Sequence, residues 1–379
     1  MYCFTSITNN YLPKARILGH TLKQFHPYWK FIVVISEPVH ETVNIDNEPF
    51  DQVISIHELN IPNLNSWIFK HTIMEICTAV KGPAAMYIAE TTKTNKLIYL
   101  DPDIAVFNSL EEISDLLDVH PVLLTPHQTK AETNPDDVLA NEVCFLKHGV
   151  YNLGFFGVKC DGQGMDFLKW YRDRLSEFCY IDFNWGLYTD QRWCDLAPVL
   201  FDQLHIHRDP GCNVARWNLS QRHLFKDNTG KYIVDDSPMK FFHFSGYDSG
   251  QGAFEISRYI DSDHCFHELW DWYAKELKTQ GHGNISKSEW KYDRFITGTK
   301  ISKQMRLLFR QRKDLQNFFP DPYANDGTLN SYENWYTHNI EPGQTKPAPR
   351  DKIHRFIDSF LDGVIRFRSY FKPRRDFNE

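Results

Sequence analysis

The sequence predicts an α/β protein with an open, largely parallel central sheet flanked by helices, followed by a helical extension. In the first half, short apolar runs typical of buried strands alternate with segments whose apolar residues recur at helical spacing. Alternating strands and helices favour a parallel sheet that binds ligands at the carboxyl ends of its strands. A chain of 379 residues that is 42% hydrophobic has enough apolar side chains for a large core.

The elements of the first half follow from local apolar patterns. The predicted strands are residues 3–6, 31–35, 52–56 and 96–100, and the predicted helices are residues 13–25, 67–89 and 110–117. Gly82-Pro83 predicts a break within the second helical region, because glycine weakens a helix and proline lacks the backbone N–H.

The second half is less regular. Its predicted elements are strands at residues 121–125, 151–159 and 239–244 and a helix at residues 165–178. The expected parts of the chain are a sheet domain at residues 1–260, a helical extension at 261–336, a linker at 337–350 and an amphipathic basic tail at 351–379. The linker contains three prolines and one glycine, which disfavour both helix and strand.

Composition and charge argue against several classes of protein. The chain has 42 Lys and Arg against 49 Asp and Glu, a net charge of −7, whereas a nucleic-acid binder needs a basic surplus to neutralise phosphates. No apolar run reaches the roughly 18 residues of a membrane span. The eight cysteines have neither C-x-x-C nor zinc-ribbon spacing, which predicts reduced, mostly buried thiols. With no charged leader or apolar signal segment, a cytoplasmic location is expected.

Two carboxylates interrupt the apolar extended segment at residues 96–107. Residues two apart in an extended backbone point to the same side, so Asp101 and Asp103 are able to present oxygen atoms to one divalent cation, with Pro102 stiffening the backbone between them. A D-x-D pair taken by itself is usually a polar turn. Its position at the end of an apolar strand favours a cation site.

A second candidate ligand lies in the motif His243-Phe-Ser-Gly246, at the end of the last predicted strand. Gly246 allows a tight turn and the close approach of an anion to the backbone. His243 by itself fits a core histidine as well as a metal ligand. Together with the D-x-D motif, it becomes a candidate metal ligand.

Polar residues also follow the first predicted strand. Tyr11 is suited to stack on a nucleotide base, with Thr5 and Asn10 supplying polar contacts to the base edge. The alternative is an ordinary strand-to-helix turn capped by asparagine. Lys81 precedes a helical segment, and its alternative is a solvated surface lysine.

Two more motifs have structural alternatives. Asn152-Leu-Gly154 lies in a predicted strand, and the alternative to a ligand contact is an asparagine that satisfies backbone groups of a buried strand. Asp190-Gln191 follows Tyr188-Thr, where the acid alternatively caps a helix.

In their order, these motifs resemble those of nucleotide-sugar glycosyltransferases of the GT-A (Rossmann-like) fold, and among them the retaining family 8 enzymes related to glycogenin and bacterial lipooligosaccharide galactosyltransferases. The resemblance covers residues 1–248. It implies that Mn²⁺ or Mg²⁺, bound by Asp101, Asp103 and His243, holds the diphosphate of a sugar nucleotide. It implies a catalytic role at the sugar for Asp190 and Gln191. The donor-binding residues that it implies are Thr5, Asn10, Tyr11, Lys81, Asn152, Gly154 and Gly246.

The chain departs from the family pattern in two places. No lysine follows the H-x-x-G motif, where the sequence is Tyr247-Asp248-Ser249, so other residues must neutralise the phosphates. The candidates are Lys81, Arg216 and Arg222. Arg192 replaces the second acid of the family's D-Q-D motif, next to Gln191.

The expected activity is transfer of a hexose from a nucleotide-diphosphate sugar, a UDP-sugar by default, to a saccharide or glycolipid hydroxyl, with retention of configuration. A divalent cation suits this reaction because negative charge develops on the leaving diphosphate. The alternatives are an inverting GT-A glycosyltransferase and a non-catalytic nucleotide-sugar or glycan-binding protein. A sugar nucleotidyltransferase lacks support, because no glycine-rich basic loop follows the first strand.

Two basic stretches with aromatic residues lie at residues 301–313 and 364–375. Such stretches are typical of helices that lie on an anionic membrane, which predicts a peripheral position on the cytoplasmic membrane face. The alternative is docking on the same chain or on a second copy, which would give a homo-oligomer through the C-terminal helix.

Overall fold

The structure, a computed structural model, describes residues 1–328 and 330–340 and contains a central seven-stranded sheet in the first of two compact units. The strands are β1 Tyr2–Ile7, β2 Lys30–Ile35, β3 Gln52–Ser55, β4 Lys96–Leu100, β5 Ile104–Val106, β6 Val122–Pro126, β7 Tyr151–Lys159, β8 Ile181–Asp182, β9 Leu187–Tyr188, β10 His205–Ile206, β11 Leu224–Lys226, β12 Tyr232–Val234, β13 Ser237–Pro238 and β14 Phe241–His243. The central sheet has the order β10-β6-β7-β4-β1-β2-β3. Strand β5 pairs with β14, outside this sheet.

The central sheet is mostly parallel. Strand β1 is parallel to β2 and β4, β2 is parallel to β3, and β6 is parallel to β10. Strand β7 runs antiparallel to both of its neighbours, β4 and β6. Residues 31–35 of β2 are all buried, as expected for a strand with both faces covered. The predicted α/β fold with a mostly parallel sheet is confirmed.

The helices follow most of the predicted positions. They are α1 Leu12–Phe25, α2 Leu64–Phe69, α3 Ile73–Ala79, α4 Lys81–Thr92, α5 Glu111–Val119, α6 Pro135–Asp137, α7 Val143–His148, α8 Gly162–Phe178, α9 Gln191–Cys194, α10 Ala197–Leu200, α11 Gln251–Ile256, α12 Phe266–Thr279, α13 His282–Ile285, α14 Lys303–Gln311, α15 Lys313–Phe318 and α16 Tyr332–Asn339.

The helical region predicted at residues 67–89 breaks directly before Gly82-Pro83, because α3 ends at Ala79 and α4 begins at Lys81. Gly82 and Pro83 are inside the first turn of α4, where a proline costs no hydrogen bond because the first N–H groups of a helix have no partner within it. The helical region is also interrupted between α2 and α3, where the Thr72 side chain accepts a hydrogen bond from the backbone N–H of Glu75 and caps α3.

The described chain forms two compact units. Unit 1 comprises Met1–Trp67 and His71–Asp293, and unit 2 comprises Ile68–Lys70 and the described residues from Arg294 onward. Unit 1 therefore extends past residue 260, the expected end of the sheet domain, and includes α12, whose Tyr273 ring stacks on Phe244 with ring centroids 3.8 Å apart. In unit 2, aromatic residues including Phe309 and Tyr332 pack around Phe69.

The C-terminal predictions fall largely outside the described residues. The first residues of the expected linker, 337–339, are the end of α16, whereas 341–350 and the expected tail at 351–379 are not described. Among the described helices, none combines the length and apolar character that crossing a membrane requires.

Candidate functional site

A cavity of about 1060 Å³ opens in unit 1, at the carboxyl ends of β1 and β4. Ser6 and Ile7 at the end of β1 line it, as do Tyr99 and Asp101 at the end of β4. Parallel strands expose the loops after their carboxyl ends along one sheet edge, where α/β proteins bind ligands. The cavity volume suits a ligand of the size of a nucleotide.

A turn brings the two predicted metal-binding carboxylates together. Ile104 donates its backbone N–H to the carbonyl of Asp101 at 3.0 Å, closing a four-residue turn with Pro102 at the position that proline favours. Strand β5 begins directly after Asp103 and pairs with β14 so that Ile104 lies opposite His243. The carbonyl of Asp103 accepts the Phe244 N–H at 2.8 Å. This pairing brings His243, 140 residues away in the chain, next to the turn.

Asp101, Asp103 and His243 form one cluster. One ligand atom from each residue lies within 4.8 Å of the others. The Nε2 atom of His243 is 3.0 Å from Oδ1 of Asp103 and 3.7 Å from Oδ2 of Asp101. Burial alone would raise the pKa of Asp103, but the neighbouring His243 imidazole lowers it to about 2. Two carboxylates and an imidazole are a suitable donor set for Mn²⁺, or for Mg²⁺ with more water ligands.

Two neighbours fix the orientation of His243. Its Nδ1 atom lies 3.3 Å from Oδ1 of Asn213, which leaves Nε2 directed at the carboxylates. A metal-binding histidine commonly donates its other N–H to such an acceptor. Gly154 provides the space for the ring, because a Cβ atom there would lie 2.5 Å from Cε1 of His243. The buried polar groups around the cluster therefore fit a metal ligand set.

Lys81 is a buried cation between two carboxylates. Its Nζ atom donates to Oδ2 of Asp190 at 3.1 Å and to the carbonyl of Leu153 at 2.9 Å, and it lies 3.3 Å from Oδ1 of Asp101. Burial alone would lower the pKa of Lys81, but Asp101 and Asp190 raise it well above its ordinary value. The predicted donor-binding lysine thus contacts protein carboxylates at the wall of the cavity.

Two buried tyrosines complete this network, and the sequence motifs did not reveal them. Tyr99 donates to Oδ1 of Asp101 at 2.6 Å, and Tyr171 donates to Oδ2 of Asp190 at 2.9 Å. A signal for Tyr99 exists in the sequence, since it lies two residues before Asp101 on an extended strand and shares its face. Tyr171 lies on α8, and only the folded chain brings it to Asp190.

The remaining sugar-facing candidates lie on the cavity wall. Asp190 is buried, whereas Gln191 is partly exposed at the start of α9. The Gln191 side chain accepts the N–H of Leu153 at 3.4 Å and donates to the His148 carbonyl at 3.1 Å. Asp190, Gln191, Asn152 and Gly154 all line the cavity.

Asn152 belongs to a buried amide network. Its Oδ1 atom accepts the Gly154 N–H and the Nδ2–H of Asn213, each at 3.0 Å. Its Nδ2 atom lies 3.2 Å from Nε2 of His127. Burial lowers the pKa of His127 to about 3. The sequence motifs did not point to Asn213. The available signal is its position at the end of the turn-forming run Asp209-Pro-Gly-Cys, which fits its left-handed φ of 53°.

Of the three residues expected near the nucleotide, two line the cavity and one does not. Asn10 and Tyr11 line the cavity, whereas Thr5 does not, because it is fully buried within β1. The Tyr11 hydroxyl donates to Oδ2 of Asp248 at 3.2 Å, and the Lys14 ammonium lies 4.3 Å from the centre of the Tyr11 ring. Gly246, with φ of 76°, forms the turn after His243, and the cavity wall there is Ser245.

The three candidates for phosphate neutralisation differ in their position and in their partners. Lys81 is paired with carboxylates. Arg222 does not line the cavity, and it donates to the carbonyls of Pro210 and Cys212 at 2.9 and 2.7 Å. Arg216 lines the cavity and pairs with Glu255.

A second group of residues with metal-ligand chemistry, His207, Asp209 and Cys212, lies outside the cavity. The Lys240 ammonium pairs with Asp209 and lies 2.9 Å from Glu112, so a protein cation already balances the carboxylate there. We assign it no ligand.

No protein-family model matches the chain. Two similar proteins are the uncharacterised YfnF and YfnD of Bacillus subtilis (strain 168). YfnF is 38% identical over 100 residues, which cover 26% of this chain and 33% of YfnF. YfnD is 23% identical over 257 residues, which cover 64% of this chain and 76% of YfnD. The match with YfnF therefore spans only a third of that relative's length.

Among solved structures, the galactosyltransferase LgtC, crystallised with donor and acceptor sugar analogues, is similar to this chain. The two are 14% identical, the match covers 76% of this chain and 98% of LgtC, and the TM-score is 0.44.

Proposed function

We propose that the chain is a metal-dependent glycosyltransferase that moves a hexose from a nucleotide-diphosphate sugar, by default a UDP-sugar, to a saccharide or glycolipid hydroxyl with retention of configuration. The proposal rests on the meeting of Asp101, Asp103 and His243 at the edge of a nucleotide-sized cavity. The motif order along residues 1–248 supports it. The inverting and the non-catalytic alternatives share the same cavity and are separated by the assay below.

In this proposal Asp101, Asp103 and His243 hold Mn²⁺ or Mg²⁺. The bound cation would supply positive charge to the diphosphate as it leaves the sugar. Asn213 keeps the Nδ1 side of His243 engaged, so that Nε2 stays available. Tyr99 orients the Asp101 carboxylate by donating to its Oδ1, whereas Oδ2 is the atom nearer to His243.

The wall formed by Asn152, Gly154, Asp190 and Gln191 is the proposed sugar site. Lys81 and Tyr171 both donate to Oδ2 of Asp190, which holds this buried carboxylate in one orientation. A fixed negative charge there favours the positive charge that develops on the sugar ring during bond cleavage. The Gln191 amide is the partly exposed polar group of this wall, and we propose that it faces the anomeric carbon.

Asn10 and Tyr11 are the proposed contacts of the nucleotide. The Tyr11 ring already carries a cation on one face, and its partly exposed surface lines the cavity. Thr5 is assigned no direct contact, because its side chain is buried inside β1.

The acceptor is proposed to be a saccharide, free or linked to a lipid. Exposed apolar side chains, Met74 and Phe254, line the cavity at 57% and 73% exposure, which supports an acceptor with an apolar part. We also propose a cytoplasmic location with peripheral membrane contact through residues 351–379. Cosedimentation with anionic vesicles tests this contact: a chain ending at Arg350 should bind less than the full chain, and equal binding contradicts it.

The assay for the proposed activity follows nucleoside diphosphate release from UDP-, GDP-, CDP- and dTDP-sugars, with Mn²⁺ and with EDTA. We expect release from one donor class that EDTA abolishes. NMR of the product with a saccharide acceptor then gives its anomeric configuration. No release from any donor with Mn²⁺ would favour the non-catalytic alternative.

A further inference from the structure

We infer that Arg216 binds the diphosphate of the donor, and that Glu255 competes with the diphosphate for the Arg216 guanidinium. This inference rests on the proposed function, and it names the group that contacts the leaving phosphates.

The lysine and arginine side chains that line the cavity differ in their burial and in the carboxylates with which they pair. Of the described lining residues, these are Lys81, Arg216 and Arg258. Lys81 is 6% exposed at its side chain and lies between Asp101 and Asp190, whose charges it balances. The Arg258 side chain is 40% exposed, and its Nη2 lies 3.3 Å from Oδ1 of Asp137. Arg216 is intermediate in burial, at 24% side-chain exposure, and its partner Glu255 is 28% exposed.

Two contacts place Arg216 near His243 of the proposed metal-ligand cluster, one made by the next residue in the chain, Trp217, and one made by Arg216 itself. The Trp217 ring contacts the His243 ring edge-on, with centroids 5.2 Å apart. The Nε atom of Arg216 lies 3.6 Å from the position of a Cβ on Gly246, in the turn that follows His243. Arg216 therefore lies beside the turn that leads away from the third metal ligand.

The guanidinium has unused hydrogen-bonding capacity. Its Nε is buried and, among the described residues, has no acceptor, whereas Nη1 contacts Glu255. A buried N–H without an acceptor is costly, and an oxygen of a bound phosphate would satisfy it. Burial also lowers the pKa of Arg216 below its ordinary value, because the guanidinium has lost part of its hydration. A bound anion would stabilise the charged guanidinium in place of the lost water.

Glu255 lies on α11, a short helix that also brings Gln251 and Phe254 to the cavity wall. A diphosphate offers more negative charge and more acceptor oxygens than one carboxylate, and a guanidinium binds such groups through two parallel hydrogen bonds. Donor binding is thus expected to draw Arg216 away from Glu255.

Calorimetric titration of the full chain with UDP, GDP, CDP and dTDP, each with Mn²⁺, tests the inference, with the matching monophosphates as comparison. For the diphosphate that binds, Arg216→Ala should weaken binding about tenfold or more, while binding of the monophosphate changes by less than about threefold. Glu255→Gln should strengthen diphosphate binding severalfold, because it removes the competing charge. Arg216→Lys should fall between the wild type and Arg216→Ala.

Arg16→Ala is the matched control, since it removes an arginine–glutamate pair with Glu48 outside the cavity and should leave diphosphate binding unchanged. If the wild type binds none of the four diphosphates, the proposed function fails and this inference fails with it. If the wild type binds one and Arg216→Ala binds it equally well, only this inference is overturned. Should Arg216→Ala not fold, unchanged diphosphate affinity in Glu255→Gln and Arg216→Lys overturns it.

Discussion

Gly154 and His243 lie so close together that the histidine ring occupies the space of a side chain at residue 154. A Cβ atom there would lie 2.5 Å from Cε1 and 2.8 Å from Nδ1 of His243. The ring packs edge-on against Trp217 and its Nδ1 faces Asn213, so it cannot simply move aside. The glycine of the Asn152-Leu-Gly154 motif thus provides room for the proposed metal ligand His243.

Gly154→Ala is therefore expected to weaken Mn²⁺ binding about tenfold or more, because it displaces the imidazole from Asp103. Calorimetric titration with Mn²⁺ measures the change. Gly157→Ala is the matched control in the same strand, since its Cβ would meet the flexible end of Leu117 at 3.3 Å. Equal Mn²⁺ affinity in both variants and the wild type would contradict this account of the ligand set.

Asp103→Ala is expected to abolish turnover in the donor-release assay while the protein stays folded. The substitution removes one of two neighbouring carboxylates, so the fold loses little, but the cation loses a ligand. Circular dichroism and a thermal melt check the fold. Asp118→Ala serves as control, because it removes an exposed carboxylate that pairs with Lys96. Near-normal turnover in Asp103→Ala would remove the metal role of this residue.

Lys81→Met is expected to lower the free energy of unfolding by about 3 kcal/mol or more, since it leaves Asp101 and Asp190 without their shared buried cation. Urea denaturation monitored by tryptophan fluorescence gives the value. Lys30→Met, which removes an exposed partner of Asp51, should be indistinguishable from the wild type. A Lys81→Met variant as stable as the Lys30→Met variant would show that the lysine is not the counter-ion of this network.

His127 predicts a pH dependence of stability. Burial lowers the pKa of folded His127 from 6.5 to about 3, so between these values the unfolded state binds the proton and the folded state does not. The contribution of neutral His127 to the free energy of unfolding is therefore fully present above pH 6.5, and it decreases as the pH falls towards 3. His127→Gln lacks this titration, so the stability advantage of the wild type over this variant should shrink by about 2 kcal/mol from pH 7 to pH 5. Urea denaturation at pH 7, 6 and 5 measures it, and a constant difference would contradict it.

The fold was predictable where local pattern and tertiary structure agree. The apolar runs of β1, β2, β4 and β7 are long enough to be recognised, and their alternation with helices gives the parallel sheet. Strand β5 lies in the segment expected to be extended, residues 96–107, but its separation from β4 was not predicted, because its position depends on pairing with β14. The break expected at Gly82-Pro83 lies at Val80, between α3 and α4, because proline is tolerated in the first turn of the helix that follows.

Residue type and local pattern were enough to locate the candidate metal ligands: two carboxylates two residues apart at the end of an apolar strand, and a histidine followed by a glycine at the end of another. These follow from residue type and from the period of an extended chain. The hydrogen-bond partners of these residues became visible in the folded chain alone. It brought Asn213 to His243, Tyr171 and Lys81 to Asp190, and left Thr5 inside its strand. Such contacts join residues far apart in the chain, and their geometry depends on strand pairing and helix packing, which no local pattern specifies.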